Sequence, residues 1–145
     1  MKKILIHSLT FPPDTISTGM IVSEIADGLN KELNNIEVLA SSPQYNLKSA
    51  QEYNQNYKNV SVGMFKGIKV HYIESPPRQF SNSSRFFQWL GFNFKAIRFI
   101  YKNRKHYKEI LIFSYPPTMN LVCIFTSKIL KINTIYSLWE LYPEI

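Results

Sequence analysis

The chain has 145 residues, a formal net charge of +7 and a single cysteine. This length suits one domain with a buried core, and the lone cysteine excludes a disulfide framework and fits a reducing compartment. No apolar run approaches the roughly 18 residues of a membrane span, and Pro12-Pro13-Asp14 interrupts the apolar start too early for a signal peptide, so we expect a cytoplasmic protein.

The first forty residues predict one β-α-β unit. Ile4-Leu5-Ile6 is typical of a short buried strand, and Pro12-Pro13 predicts a loop after it. Apolar residues at helical spacing predict a helix over residues 18–33, with Ser17 or Thr18 as its N-cap. Asparagine at 34 and 35 ends that helix, and residues 36–40 predict a second buried strand.

The middle of the chain predicts a β-hairpin. A polar connection over residues 41–59 leads to two apolar arms, 60–65 and 68–73, which Lys66-Gly67 separates. Two residues ending in glycine are a suitable hairpin turn. We expect the second arm to join the main sheet, and Ser75-Pro76-Pro77 to end it.

The second half continues the alternation of helices and strands. It predicts a helix over 85–105, a strand over 110–113, a helix over 118–130 and a last strand over 134–138. The complete order predicts an α/β fold, namely a Rossmann-like, doubly wound, mostly parallel sheet that forms one domain over residues 1–145.

The helix predicted over 85–105 combines aromatic and basic residues, and no acidic residue lies between Glu74 and Glu109. In one interpretation its apolar face packs on the sheet and its lysines are solvated. In the other, the helix lies on an anionic membrane surface. The residues then expected to face the membrane are Trp89, Phe92, Lys95, Arg98, Lys102 and Lys105. No nucleic-acid-binding motif accompanies them, so a nucleic-acid partner is not expected.

A ligand site is expected at the carboxyl edge of the sheet, where segments 9–19, 114–118 and 139–144 should converge. Together they supply hydroxyls, carboxylates and aromatic rings, which suit a carbohydrate. His7, at the end of the first strand, either points into this cleft or is a hydrogen-bonded residue of the strand end. The chain has no glycine-rich dinucleotide fingerprint, no P-loop and no Cys/His spacing of a metal site.

Several motifs in this order resemble a bacterial glycosyltransferase family. Phe11-Pro12-Pro13 is similar to its "FPP" loop, and Ser23-Glu24-Ile25-Ala26 to the "SELA" of its first helix. Ser42-Pro43-Gln44-Tyr45 resembles its "P-N-Y" loop, and Ser114-Tyr115-Pro116-Pro117 its "SSPP" loop. The segment 139–144 resembles "RDLWPE", with Trp-Glu in place of Arg-Asp and tyrosine in place of tryptophan. The chain thus resembles the N-terminal domain of glycosyltransferase family 4 enzymes of the GT-B fold.

The resemblance implies the acceptor-side half of an enzyme that moves a sugar from a nucleotide-sugar to a lipid-linked acceptor during capsule or O-antigen synthesis. It implies retention of anomeric configuration, with no metal and no cofactor. The donor-binding C-terminal domain is an expected partner, so the chain alone is expected to be inactive, as a fragment, a truncated product or half of a split enzyme. Its location would be cytoplasmic, with a peripheral position on the inner membrane face.

The resemblance also implies roles for individual residues. Glu140 and Glu144 are the expected catalytic residues, near the reacting sugar. The expected substrate-binding residues are Thr18, Gly19, Ser114, Tyr115 and Trp139. The alternative is a non-enzymatic Rossmann-like binding module that recruits a partner or an anionic membrane.

Overall fold

The computed structural model describes residues 2–45, 60–76 and 81–139. Six strands and three α-helices follow one another in this part of the chain. They are β1 (Lys3–His7), α1 (Ser17–Leu33), β2 (Ile36–Ser41), β3 (Val60–Phe65), β4 (Ile68–Ile73), α2 (Asn82–Asn103), β5 (Tyr107–Phe113), α3 (Met119–Ile124) and β6 (Asn133–Ser137). A π-helical turn, Phe125–Ile129, continues α3.

The strands form one sheet in the order β3-β4-β2-β1-β5-β6. Every neighbouring pair is parallel except β3 with β4, which form the antiparallel hairpin. The chain moves outward from β1 to β2 and on to the edge strand β3, forms β4 between β3 and β2, and then returns to the other side of β1 with β5. The fold is therefore α/β with a Rossmann-like, mostly parallel sheet, as predicted, and its order reverses between β1 and β5.

The central strands β1 and β2 are buried on both faces because helices cover both sides of the sheet there. Alternate residues of β1 point to opposite sides. Ile4 and Ile6 belong to the core beneath α1, together with Val22 and Ala26 of that helix. Leu5 instead belongs to the core beneath α2 and α3, whose members include Phe92, Ala96, Ile100, Met119 and Val122. Strands buried on both faces need near-continuous apolar runs, as in Ile4-Leu5-Ile6.

Local signals explain most element boundaries. Asn34 adopts the left-handed conformation (φ 48°) and its N–H bonds the carbonyl of Asn30, which ends α1 as predicted. Lys66 and Gly67 both have positive φ, as a two-residue hairpin turn requires. The predicted N-cap of α1 is wrong. Ile16 occupies that position and supplies no side-chain hydrogen bond, so the helix starts one residue earlier than predicted.

None of the described helices combines the length and apolar character that crossing a membrane requires.

Candidate functional site

Loops after three parallel strands meet at the carboxyl edge of the sheet. Asp14 lies in the loop after β1, and its buried carboxylate accepts hydrogen bonds from two backbone N–H groups of the loop after β2. These are the N–H of Gln44, at 3.0 and 3.2 Å from its two oxygens, and the N–H of Tyr45, at 3.1 Å. Hydrogen bonds to a charged acceptor are stronger than neutral ones, so Asp14 holds the two loops together.

Tyr45 then connects to the loop after β5. Its hydroxyl lies 3.2 Å from the hydroxyl of Tyr115. Because β1 stands between β2 and β5, this pair crosses above the carboxyl end of β1, at the point where the strand order reverses. The ring of Trp89 from α2 meets the ring of Tyr115 edge-on at 6.2 Å.

The first half of α2 closes one side of this region. The amide of Gln88 donates to the carbonyl of Pro76 at 2.5 Å and lies 3.4 Å from the amide oxygen of Gln44. Ser75, which follows β4, donates its N–H to the hydroxyl of Ser42 at 3.0 Å. The ends of β2 and β4 and the start of α2 therefore form one hydrogen-bonded rim.

Ser114 and Trp139, both predicted to bind substrate, are in contact. The hydroxyl of Ser114 accepts the backbone N–H of Trp139 at 2.9 Å, and the Trp139 ring lies 4.6 Å from the ring of Phe113. This places the end of β6 beside the end of β5, next to Tyr115. Ser114 and Trp139 thus lie together. Tyr115 is the next residue after Ser114, but its ring packs on the α2 side against Trp89. The ring of Trp139 instead contacts the core beneath α1.

Gly19 and Thr18 lie at the start of α1, facing the loop after β1. Gly19 is buried, and an added Cβ would lie 3.4 Å from backbone atoms of Thr10 and Phe11. The loop after β1 therefore packs against Gly19 at about van der Waals distance and covers it on that side. Thr18 is half-buried beside it.

His7 is fully buried and points toward α2, where its ring stacks on Phe92 at 5.4 Å. Its Nδ1 lies 3.1 Å from the carbonyl oxygen of Leu39, so Nδ1 carries the proton and donates it. Of the two interpretations of His7, the hydrogen-bonded residue of the strand end is therefore confirmed. Burial, partly opposed by this hydrogen bond, lowers the pKa of His7 to about 4, so the ring is neutral at pH 7.

Other buried polar atoms lie in the same region between α2, α3 and β1. The Nε2 atom of His7 and the Oδ1 atom of Asn93 have no hydrogen-bond partner among the described residues. Asn93 uses its amide hydrogen to bond the carbonyl of Thr118 at 2.8 Å. Ordered water is the usual partner of such atoms.

Four predicted membrane-facing residues are exposed, namely Lys95, Arg98, Lys102 and Lys105. The prediction is wrong for Phe92, which is 2% exposed and lies in the core beneath α2. It is also wrong for Trp89 as an outward-facing residue, since its half-buried ring packs against that core and Tyr115. The predicted catalytic residues Glu140 and Glu144 lie outside the described residues.

A second polar cluster lies at the opposite, amino edge of the sheet. Glu37 is buried and accepts hydrogen bonds from Lys3 at 2.6 Å and Tyr107 at 2.8 Å, and it lies 3.1 Å from Nε2 of His71. Burial opposes its ionisation, but these three partners together outweigh burial and lower the pKa of Glu37 to about 2. The cluster lines a cleft of about 270 Å³, to which Lys69 also contributes.

Within residues 2–45, 60–76 and 81–139, no group of three or more His, Cys, Asp or Glu side chains could hold a metal ion. The arrangement at the carboxyl edge offers hydroxyls, amides and aromatic rings. Three of its members were missed from the sequence as site residues, namely Tyr45, Gln44 and Gln88. Two features of the sequence could have indicated them, namely the acidic residue Asp14 after Pro12-Pro13 and the tyrosine at position 45, just beyond the second strand.

Comparison with protein-family models gives no match to this chain, and comparison with curated proteins also gives none. What the chain does is therefore inferred from the residues and geometry of its carboxyl edge.

Proposed function

We propose that this chain is the acceptor-side domain of a glycosyltransferase. The observation that carries the proposal is the Tyr45–Tyr115 hydroxyl pair, which crosses the carboxyl end of β1 and lies beside the ring of Trp89. Ligands of open α/β sheets bind outside the carboxyl ends of the strands, at the point where the strand order reverses. The pair occupies that point.

The chemistry of this edge suits a sugar. Saccharides present hydroxyls that need hydrogen-bond partners, and C–H faces that pack on aromatic rings. Tyr45 and Tyr115 offer both a phenol hydroxyl and a ring, and Trp139 adds a ring that is over one third exposed. A mostly apolar wall with a few convergent polar groups is typical of small-molecule sites.

In the proposed reaction the bond between the anomeric carbon and the phosphate of a nucleotide-sugar breaks. The nucleotide leaves with the electron pair of that bond, a glycosidic bond to a hydroxyl of the acceptor forms, and the proton of that hydroxyl passes to the departing phosphate. Ser114, Tyr115 and Trp139 would orient the acceptor, with Thr18 and Gly19 at the adjacent helix start. Glu140 and Glu144 stay the predicted catalytic residues, and the nucleotide-sugar would be held by a separate donor-binding domain.

Saturation-transfer NMR with methyl glycosides of glucose, galactose and N-acetylglucosamine tests whether the edge binds sugars. We expect transfer from the protein to the ring protons of at least one glycoside, and at least a fivefold loss of affinity in Tyr115→Ala. Tyr101→Ala is the matched control, because Tyr101 is exposed on the far half of α2. No transfer to any glycoside, or equal effects of the two variants, would contradict the proposal.

A non-enzymatic binding module is the second candidate, and the chain's fold is compatible with it. The coding sequence after residue 145, or the adjacent gene, separates the two. A second α/β domain with an E-x(7)-E donor-site pattern there supports the enzyme. Without such a domain, the binding module is favoured.

A further inference from the structure

Helices α2 and α3 lie side by side on one face of the sheet. Phe92 and Ala96 of α2 and Met119 of α3 share one core, and Asn93 bonds the carbonyl that precedes α3. Because both helices bury one side on the same sheet face, their opposite sides point outward in a common direction. These outward sides form a two-helix surface.

Aromatic residues form a row along the α2 half of this surface. Phe87, Phe94 and Tyr101 are 69%, 68% and 49% exposed. They are seven residues apart, and positions seven apart on an α-helix differ by only about 20° in direction. Core residues of α2 point elsewhere, so the row is additional to the apolar side that packs on the sheet.

Basic residues lie directly beside the aromatic row. Lys95, Arg98 and Lys102 are exposed. Arg98 follows Phe94 by four positions and is its neighbour on the helix, and Lys95 and Lys102 lie three positions before and four after Arg98, so the three cations form a row along one flank of the outward side. Leu121 and Ile124 are each about half exposed on α3 and extend the apolar part of the surface. The surface thus has an apolar strip bordered by cations.

Charge is divided unequally along the chain. Residues 1–74 contain seven basic and seven acidic residues. Residues 75–139, which supply α2, α3, β5 and β6, contain ten basic residues and a single acidic one, Glu109. The positive charge of the protein is therefore concentrated in the part that carries the two-helix surface, whereas α1 on the other sheet face carries three acidic residues and one lysine.

We propose that the two-helix surface docks flat on an anionic lipid bilayer. Phe87, Phe94, Leu121 and Ile124 would enter the headgroup boundary, and Lys95, Arg98 and Lys102 would meet lipid phosphates. An amphipathic helix with aromatic residues on one side and cations beside them has the form that binds such interfaces. The cations are what select a bilayer of negative surface potential over a neutral one.

This docking would bring the bilayer next to the carboxyl edge. Gln88 and Trp89 belong to the same half of α2 as Phe87 and Phe94, and they contact Gln44 and Tyr115. If the proposed function holds, a saccharide on a lipid anchor could reach the tyrosine pair while its anchor stays in the membrane. The docking itself does not depend on that function.

Co-sedimentation with vesicles tests the proposal, using vesicles of phosphatidylcholine alone and of equal parts phosphatidylcholine and phosphatidylglycerol. We expect binding to the anionic vesicles that weakens with salt, and little binding to the neutral ones. Replacing Lys95, Arg98 and Lys102 by glutamine should weaken binding about 100-fold, since each cation near an anionic surface contributes about 1 kcal/mol, or about fivefold. Phe87→Ser with Phe94→Ser should weaken it roughly tenfold or more.

Matched controls lie elsewhere on the molecule. Lys2, Lys31 and Lys69 replaced by glutamine remove the same charge away from the surface, and Met20→Ser with Ile21→Ser removes exposed apolar side chains from α1. Both controls should bind anionic vesicles within about threefold of the wild-type affinity, which is a much smaller change than the losses expected for the variants of the two-helix surface. Equal losses in the Lys2/Lys31/Lys69 and Lys95/Arg98/Lys102 variants would overturn the proposal, and so would tighter binding to a single-stranded oligothymidine than to vesicles. Glycoside binding measured on the same preparations separates failure of docking from failure of the sugar site.

Discussion

The carboxylate of Asp14 accepts the backbone N–H of Tyr45 at 3.1 Å, and so ties the loop after β1 to the loop after β2. Tyr45 in turn reaches Tyr115 after β5. Through these two contacts, the buried Asp14 fixes the position of the tyrosine pair relative to the carboxyl ends of β1, β2 and β5.

Replacing Asp14 by alanine should destabilise the protein by about 2–3 kcal/mol, because the N–H groups of Gln44 and Tyr45 lose a charged acceptor. Urea unfolding measures this change. Glu24→Gln is the control, since its exposed ion pair with Lys66 is worth less than about 1 kcal/mol. If Asp14→Ala unfolded at the same urea concentration as the wild type, the tie between the loops would not be a stabilising contact.

Phe92 and Phe94 are two residues apart on α2 and should respond very differently to serine. Phe92→Ser empties a core position and introduces a hydroxyl, so a loss of about 3–5 kcal/mol of unfolding free energy is expected. Phe94→Ser changes an outward side chain and should stay within about 0.5 kcal/mol of the wild type. Thermal or urea denaturation compares them, and similar losses in both variants would contradict the orientation of α2.

Glu37 should make stability depend on acid pH. Its pKa falls from 4.5 to about 2 on folding, so the carboxylate stabilises the folded state above pH 4.5, and this contribution is lost as the pH falls toward 2. The loss should be on the order of 3 kcal/mol. Urea unfolding between pH 6 and pH 2 should show a shallower decline for Glu37→Gln than for the wild type. If the unfolding free energies of the two proteins fell in parallel with decreasing pH, Glu37 would not contribute to the loss of stability in acid.

His7 should contribute at higher pH than Glu37. Its pKa falls from 6.5 to about 4, so the stability due to its neutral form is present above pH 6.5 and declines as the pH falls through 4. The full loss is about 3 kcal/mol below that range. Nitrogen NMR of the ring should show the Nδ1-protonated neutral tautomer at pH 7 and no titration until near pH 4. A ring that titrates near 6.5 would contradict its burial.

The sequence predicted the order of the helices and strands well, because local sequence signals mark each of them. The hairpin arms 60–65 and 68–73 were confirmed at both ends, since Lys66-Gly67 fixes the turn. The long helix was predicted, but not its orientation. Phe86, Phe87, Trp89, Leu90, Phe92 and Phe94 crowd its first half, so apolar spacing alone does not single out a buried side. Packing on β1, β2 and β5 decides it.

The residues of the candidate site were harder to predict from the sequence than the helices and strands. Ser114, Tyr115 and Trp139 follow strand ends directly, so topology alone brings them to one edge. Tyr45 precedes a long polar connection, and no spacing relates it to position 115. The pair exists because β1 separates β2 from β5 and the carboxylate of Asp14 holds the loop after β2.

Mapping a bound glycoside on the backbone amides tests the central claim most directly. The account predicts that a binding methyl glycoside shifts the amide signals of Gln44, Tyr45, Tyr115 and Trp139, at the carboxyl edge. It predicts no change at Lys69 or Asn103, which line the cleft at the amino edge. Shifts confined to the amino-edge cleft, or no shifts at saturating glycoside, would contradict a sugar site at the tyrosine pair.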